Sequence, residues 1–94
     1  METLDDQQIE ARLSGLAGWV RDGPAIAREY KLADFAAAIA LVDAVAVLAE
    51  EANHHPDIHL HDWNRVRLTL STHSAGGLTD ADFALAAQIT ALLP

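Results

Sequence analysis

Arg65-Val66-Arg67-Leu68-Thr69-Leu70-Ser71-Thr72 decides the fold class. Successive side chains of an extended chain point to opposite sides. Val66, Leu68 and Leu70 therefore share one face, and Arg65, Arg67, Thr69 and Ser71 share the other. One apolar and one polar face mark a sheet covered by helices on a single side. Just upstream, Ile58 and Leu60 alternate with His59 and His61, which predicts a second, shorter strand. Trp19 to Lys31 reads as a hairpin, because Asp22-Gly23-Pro24 is a turn signal between two short extended runs. In its second run Ile26, Arg28, Tyr30 and Leu32 fall on one face by period two.

Helical periods flank these strands. Ile9, Leu13 and Leu16 recur at helical spacing, Thr3 with Asp6 forms a capping-box variant, and Gly15 is a plausible stop, so a first helix is expected over about residues 4–14. Asp34, an acid suited to the positive end of the helix dipole, opens the longest helix, about 34–52. Asn53 can cap that helix, and Pro56 stops it. After the Gly76-Gly77 turn, Thr79 with Asp82 repeats the capping signal and opens a last helix to about Leu92. The expected order is α-β-β-α-β-β-α. That is a single α+β domain over 1–94, with a four-stranded antiparallel sheet and helices packed on one face.

The long helix is unusual. From Phe35 to Ala49, Asp43 is the only polar residue. A helix with one wet face shows polar residues every three or four positions. This one needs cover on two sides. One is its own sheet, and the other is a second copy of the same helix or the two remaining helices of its own chain. Leu41 and Val45 are the positions where a charge should disrupt that contact.

The chain has 94 residues, 6 Lys+Arg against 14 Asp+Glu, a formal net charge of −8, and no cysteine. The length fits one domain with a limited core. Without Cys there is neither a disulfide nor a thiolate metal site. The acidic balance disfavours direct nucleic-acid binding and an anionic membrane surface, both of which need clustered Lys and Arg. The 35–49 run is short of the roughly 20 apolar residues that cross a bilayer. Glu2, Asp5 and Asp6 stand where a signal peptide would be basic and then apolar. A cytoplasmic protein is expected.

All five histidines lie between 54 and 73. His54-His55 follows the long helix and His73 follows the clearest strand, both element ends where a side chain can project into a cleft. Histidine exchanges protons near neutral pH, so two brought together could serve one substrate as acid and base. The plainer readings are capping contacts for His54, His55 and His73, and a solvated strand face for His59 and His61. Histidines at i and i+2 on a strand can also chelate, but no HExxH motif or Cys pair supports a metal site.

Two segments carry a resemblance. Glu50-Glu51-Ala52-Asn53-His54-His55-Pro56-Asp57-Ile58 and Thr72-His73-Ser74-Ala75-Gly76-Gly77-Leu78-Thr79-Asp80-Ala81-Asp82 resemble the signature of the pterin-4a-carbinolamine dehydratases. Glu50, His54, His55, Pro56, Trp63, His73 and Asp82 fill its places. Gly18-Trp19 and Ile26-Ala27-Arg28-Glu29-Tyr30 extend the likeness upstream. The resemblance implies the same α-β-β-α-β-β-α fold, and dimers or tetramers with the 34–52 helix in the contacts. It implies loss of water from a 4a-hydroxytetrahydropterin, giving the quinonoid dihydropterin, in tetrahydrobiopterin recycling, with no metal or redox cofactor. By position, His54 and His73 are the acid–base pair, and His55 binds and orients the pterin beside them. Glu50, Asp82, Pro56 and Trp63 contact substrate or support the histidines. Asn53 and Ile58 depart from the residues some members carry there, an Asp and an aromatic, and bear on rate and affinity. The resemblance also allows a second class of function, a non-catalytic dimerisation or assembly cofactor. Retention of His54, His55 and His73 favours the enzyme.

Overall fold

β4 (Arg65–Leu70) lies inside the sheet, and its alternation is realised: Val66, Leu68 and Leu70 are fully buried, and the residues between them are partly exposed. In the computed structural model, which describes residues 2–94, β4 pairs antiparallel with β2 (Ala25–Lys31) on one side and β3 (Asp57–His61) on the other. β1 (Val20–Asp22) completes the order β1-β2-β4-β3, also antiparallel. β3 and β1 are therefore the two edges. The helices are α1 (Asp6–Leu13), α2 (Phe35–Ala52) and α3 (Asp80–Leu92). The element order and the one-sided packing are those expected from the sequence.

One buried cluster joins the layers. Ile26 and Tyr30 of β2, Val66, Leu68 and Leu70 of β4, Ala38, Leu41, Val45 and Ala49 of α2, and Phe83, Leu85, Ala86 and Ile89 of α3 pack together. Two polar ties fix the end of α3. Trp19 Nε1 donates to Thr90 Oγ1 at 2.9 Å, and Tyr30 donates its hydroxyl hydrogen to the Leu93 carbonyl at 2.8 Å.

Three details correct the sequence expectation. The first helix begins at Asp6 with Asp5 as its cap, not at residue 4 with a Thr3–Asp6 box. Gln8 N donates to Asp5 Oδ1 at 2.8 Å, and Asp5 N donates to Gln8 Oε1 at 2.9 Å. Leu4 N instead donates to the Leu78 carbonyl at 2.8 Å, which holds Leu4 outside the helix. Asp34 is the N-cap of α2 rather than a first-turn acid, accepting from Ala37 N at 2.7 Å. The apolar surface of α2 divides cleanly: Ala38, Leu41, Val45 and Ala49 face the chain's own core, whereas Phe35, Ile39 and Val47 are exposed. A charge at Leu41 or Val45 would therefore unfold the domain, and any assembly through α2 uses Phe35, Ile39 and Val47.

The far face of the sheet carries paired charges. His61 Nε2 meets Glu29 Oε1 at 2.7 Å, and its Nδ1 meets Asp62 Oδ2 at 3.1 Å. Arg65 also reaches Glu29, and Arg67 reaches Asp22. The His61 ring stacks on His59, with centroids 4.8 Å apart. Among the described residues no group of three or more His, Cys, Asp or Glu is arranged to hold a metal ion.

The hydrogen bond to Glu29 raises the His61 pKa above its ordinary 6.5, with Asp62 adding to it. The same bond lowers Glu29 below its ordinary 4.5, helped by the nearby cations. A raised imidazole pKa gives stability that is full below pH 6.5 and fades as pH climbs through the folded value. A lowered carboxyl pKa gives stability that is full above pH 4.5 and fades as pH falls through the folded value. The Tm deficit of His61→Ala relative to wild type is therefore expected to be largest between pH 4.5 and 6.5 and to narrow on both sides. Thermal melts across that range check this, and a deficit independent of pH would contradict it.

Candidate active site

The end of α2 aims two histidines. Asn53 adopts the left-handed conformation, with φ of 49°, and His54 N donates to the Ala49 carbonyl at 3.1 Å. This is the helix stop in which the residue after the left-handed cap bonds back to the last turn. It throws His54 and His55 away from the helix axis in different directions. His55 turns back along α2, and its Nε2 meets Glu50 Oε2 at 2.5 Å on the surface. His54 turns inward, and its Nε2 meets Asp82 Oδ1 at 2.6 Å.

Asp82 is the centre of the site. Its carboxylate is 0% exposed. An isolated buried carboxylate costs several kcal/mol, and this one is surrounded by donors. Thr79 N donates to Oδ2 at 2.9 Å, closing the capping box of α3. The Thr72 hydroxyl donates to the same oxygen at 2.8 Å. Thr79 Oγ1 lies 2.8 Å from Thr72 Oγ1, so its hydrogen completes a directed chain from Thr79 to Thr72 to Asp82. The positive end of the α3 dipole also favours an anion there. No buried side-chain nitrogen or oxygen lacks a partner among the described residues.

An ionised carboxylate can only accept hydrogen bonds. His54 Nε2 therefore carries the hydrogen that Asp82 receives, and Nδ1 is left as the ring's free nitrogen, an acceptor in the neutral ring. The carboxylate sets both the tautomer and the orientation of His54, as a paired acid does for an imidazole base in other sites.

His73 enters from the other side. Thr72, held by Asp82, ends the extended run after β4, and His73 opens a short 3₁₀ turn to Ala75. Gly76 closes that turn at φ of 80°, and Thr72 N donates to the Gly77 carbonyl at 3.1 Å. His73 is exposed, and its ring makes no hydrogen bond to another described residue. Together with Pro24, Ser71, Thr72, Gly76 and Gly77 it lines a cleft of about 210 Å³. His54 and His55 are not among the lining residues. His54 connects to the cleft wall through Asp82 and Thr72.

The remaining expected site residues fall in two places. Pro56, partly buried, joins His55 to β3, beside the cluster. Trp63 lies in the β3–β4 turn, at the opposite end of β3 from His55, about 14 Å along a strand of this length. It is 62% exposed, and its φ is 56°. A bulky residue in that conformation costs about 1–2 kcal/mol. Thr72 was legible only as a neighbour of His73. Its buried hydroxyl, the link between the two histidine segments, has no signature in spacing.

Comparison with known proteins agrees with the resemblance. The family model described as "Pterin 4 alpha carbinolamine dehydratase" matches residues 2–92. A protein of Roseiflexus castenholzii named "Putative pterin-4-alpha-carbinolamine dehydratase" is 53% identical over 90 residues, 96% of each chain. One of the same name from Acidobacterium capsulatum is 54% identical over 93 residues, 99% of this chain and 100% of the other. A crystal structure described as a transcriptional coactivator/pterin dehydratase from Brucella melitensis superposes with a TM-score of 0.92 at 33% identity, covering 99% of this chain and 100% of that one. A pterin dehydratase-like RuBisCO assembly factor of the alpha-carboxysome superposes with a TM-score of 0.65 at 29% identity, covering 80% and 88%. The match over almost the whole sequence, on the same fold, establishes that this chain belongs to the pterin 4 alpha carbinolamine dehydratase family.

Proposed function

We propose that this protein removes water from a 4a-hydroxytetrahydropterin to give the quinonoid dihydropterin, in pterin recycling. The observation that carries this reading is the Thr72–Asp82–His54 chain, which links one oriented histidine to a cleft that bears a second, unpaired one. In the reaction the 4a-hydroxyl takes a proton and leaves as water. The N5–H bond gives up its proton, and its electron pair forms the C4a–N5 double bond. Both transfers suit imidazoles near neutral pH. His54, through Nδ1, and His73 carry them. His55, steadied by Glu50, orients the ring. The hydroxyl stands on opposite faces in the two 4a epimers, so the two histidines can exchange the roles of acid and base.

A second reading, a non-catalytic assembly or coactivator role, is favoured by the described roles of the two structural neighbours. It does not call for a histidine tautomer set by a buried carboxylate.

We also propose assembly through α2, supported by the exposed Phe35, Ile39 and Val47 on a helix with no basic residue and few acids. Val47→Lys is expected to shift the protein to a smaller species in light scattering while leaving it folded. A wild-type monomer at micromolar concentration would contradict that.

Catalysis is tested by stopped-flow dehydration of freshly made 4a-hydroxytetrahydropterin. His54→Ala and His73→Ala should each lower turnover by roughly 10²–10⁴-fold with little change in KM. Each should favour a different epimer, and the double variant should be far worse than either. His55→Ala should raise KM more than it lowers turnover. Near-wild-type turnover in the double variant would refute the acid–base assignment and favour the assembly role.

A further inference from the structure

A second cleft adjoins the one that bears His73. It too holds about 210 Å³, and the two share Pro24, Gly76 and Gly77 as a common wall. Either cleft alone falls short of the roughly 300–1,000 Å³ of an ordinary ligand site, and joined they reach the lower end of that range. Ile9 and Leu78, both buried, form the floor of the second cleft, and the exposed Thr3 and Arg21 form its rim.

The wall between the clefts is low. Two of its three residues carry no side chain, and a Cβ on Gly76 would meet no atom within 4 Å. Gly76 has the left-handed φ of 80° that favours glycine, but Gly77 has no positive φ. Its backbone does not call for glycine on that ground. A side chain at 77 would instead enter the second cleft, since its Cβ would come to 3.4 Å from Thr3 Cγ2 on the rim. The bare Gly77 leaves the passage open.

Arg21 brings a donor to this space. Its Nη1 donates to Asp6 Oδ1 at 2.7 Å, and its Nε donates to the Gly23 carbonyl at 3.1 Å. Nη2 has no hydrogen-bond partner among the described residues and is left for a ligand. The guanidinium charge is already matched by Asp6, in a chain of net charge −8. An uncharged acceptor therefore suits the cleft better than an anion.

The chemistry of the substrate leads to the same place. In a 4a-hydroxytetrahydropterin, C6 is bonded to N5, which loses its proton, and lies two bonds from C4a, which loses its hydroxyl. His73 is the imidazole that lines the first cleft. Whichever transfer it performs, the group on C6 begins within two bonds of the atom it serves, beside the Gly76–Gly77 wall.

We propose that the second cleft is the subsite for the C6 substituent and that it selects an uncharged, hydroxylated chain. The carbons cross Gly77 and lie over Ile9 and Leu78, and a hydroxyl oxygen accepts from Arg21 Nη2. This rests on the dehydratase reading for its substrate, but the preference is also measurable as binding alone.

Three freshly made 4a-hydroxytetrahydropterins test it, with a methyl, a dihydroxypropyl or a carboxylate-ended chain at C6. The wild-type protein should process the dihydroxypropyl substrate with kcat/KM roughly tenfold above that for the methyl one, with the gain in KM. The carboxylate-ended substrate should do no better than the methyl one. Arg21→Met keeps a long unbranched side chain without a donor, and it should bring the first ratio close to one. Gly77→Ala should also lower that ratio, by narrowing the passage. Equal efficiency for the methyl and dihydroxypropyl substrates in the wild type would overturn the subsite, as would a preference that survives both substitutions. A preference for the carboxylate-ended chain would overturn the selection of an uncharged one. Calorimetric titration with the stable 7,8-dihydropterins bearing the same groups separates the subsite from the reaction. A dihydroxypropyl preference in Kd that is lost in Arg21→Met, with no dehydration of any substrate, would refute the dehydratase reading and leave the subsite standing. Dehydration of all three substrates with equal efficiency would refute the subsite and leave the dehydratase reading standing.

Discussion

The structure depends on one buried anion. Asp82 occupies the third position of α3, where it caps the helix, receives the Thr72 hydroxyl from the strand side and accepts the ring hydrogen of His54 from the end of α2. Three elements distant in sequence thus converge on two oxygen atoms. Removing it would leave the Thr72 hydroxyl and the Thr79 amide unpaired in the interior, at about 1–3 kcal/mol for each unsatisfied group. It would also release His54. The same contacts serve folding and the candidate chemistry, because a carboxylate that is satisfied on all sides also has a fixed direction.

The rest of the fold explains why this node sits beside a cleft. β4 delivers Thr72 and His73 together, one inward and one outward, and the Gly76 turn brings the chain back to start α3. The left-handed Asn53 does the corresponding work at the end of α2, separating His54 from His55. Each histidine of the pair has a carboxylate within the same chain, but only that of His54 is buried. This burial difference assigns the orienting role to Asp82 and leaves Glu50 as a surface partner.

Much of this was legible in the residues. The β4 alternation required a one-sided sheet, and Thr79 with Asp82 marked the start of α3. The second duty of Asp82 was not legible from spacing, since any Thr-x-x-Asp reads as a cap. It emerges only when sheet register carries Thr72 to the same place. At the N-terminus two capping pairs competed. Asp5–Gln8 prevailed because Leu4 is committed to a backbone bond with Leu78, a tertiary contact invisible to local pattern. In α2 the apolar residues run nearly all round, so periodicity alone did not separate the core-facing Leu41 and Val45 from the exposed Ile39 and Val47. Trp63 fills its place in the family signature, yet linear order says nothing about its being at the far end of β3.

The central claim is that Asp82 sets the state of His54. Long-range ¹H–¹⁵N NMR on histidine-labelled protein reads the tautomer of each neutral imidazole directly. The account predicts that neutral His54 carries its hydrogen on Nε2 and has a bare Nδ1, and that this preference disappears in Asp82→Asn. A neutral His54 protonated on Nδ1 in the wild-type protein would contradict it.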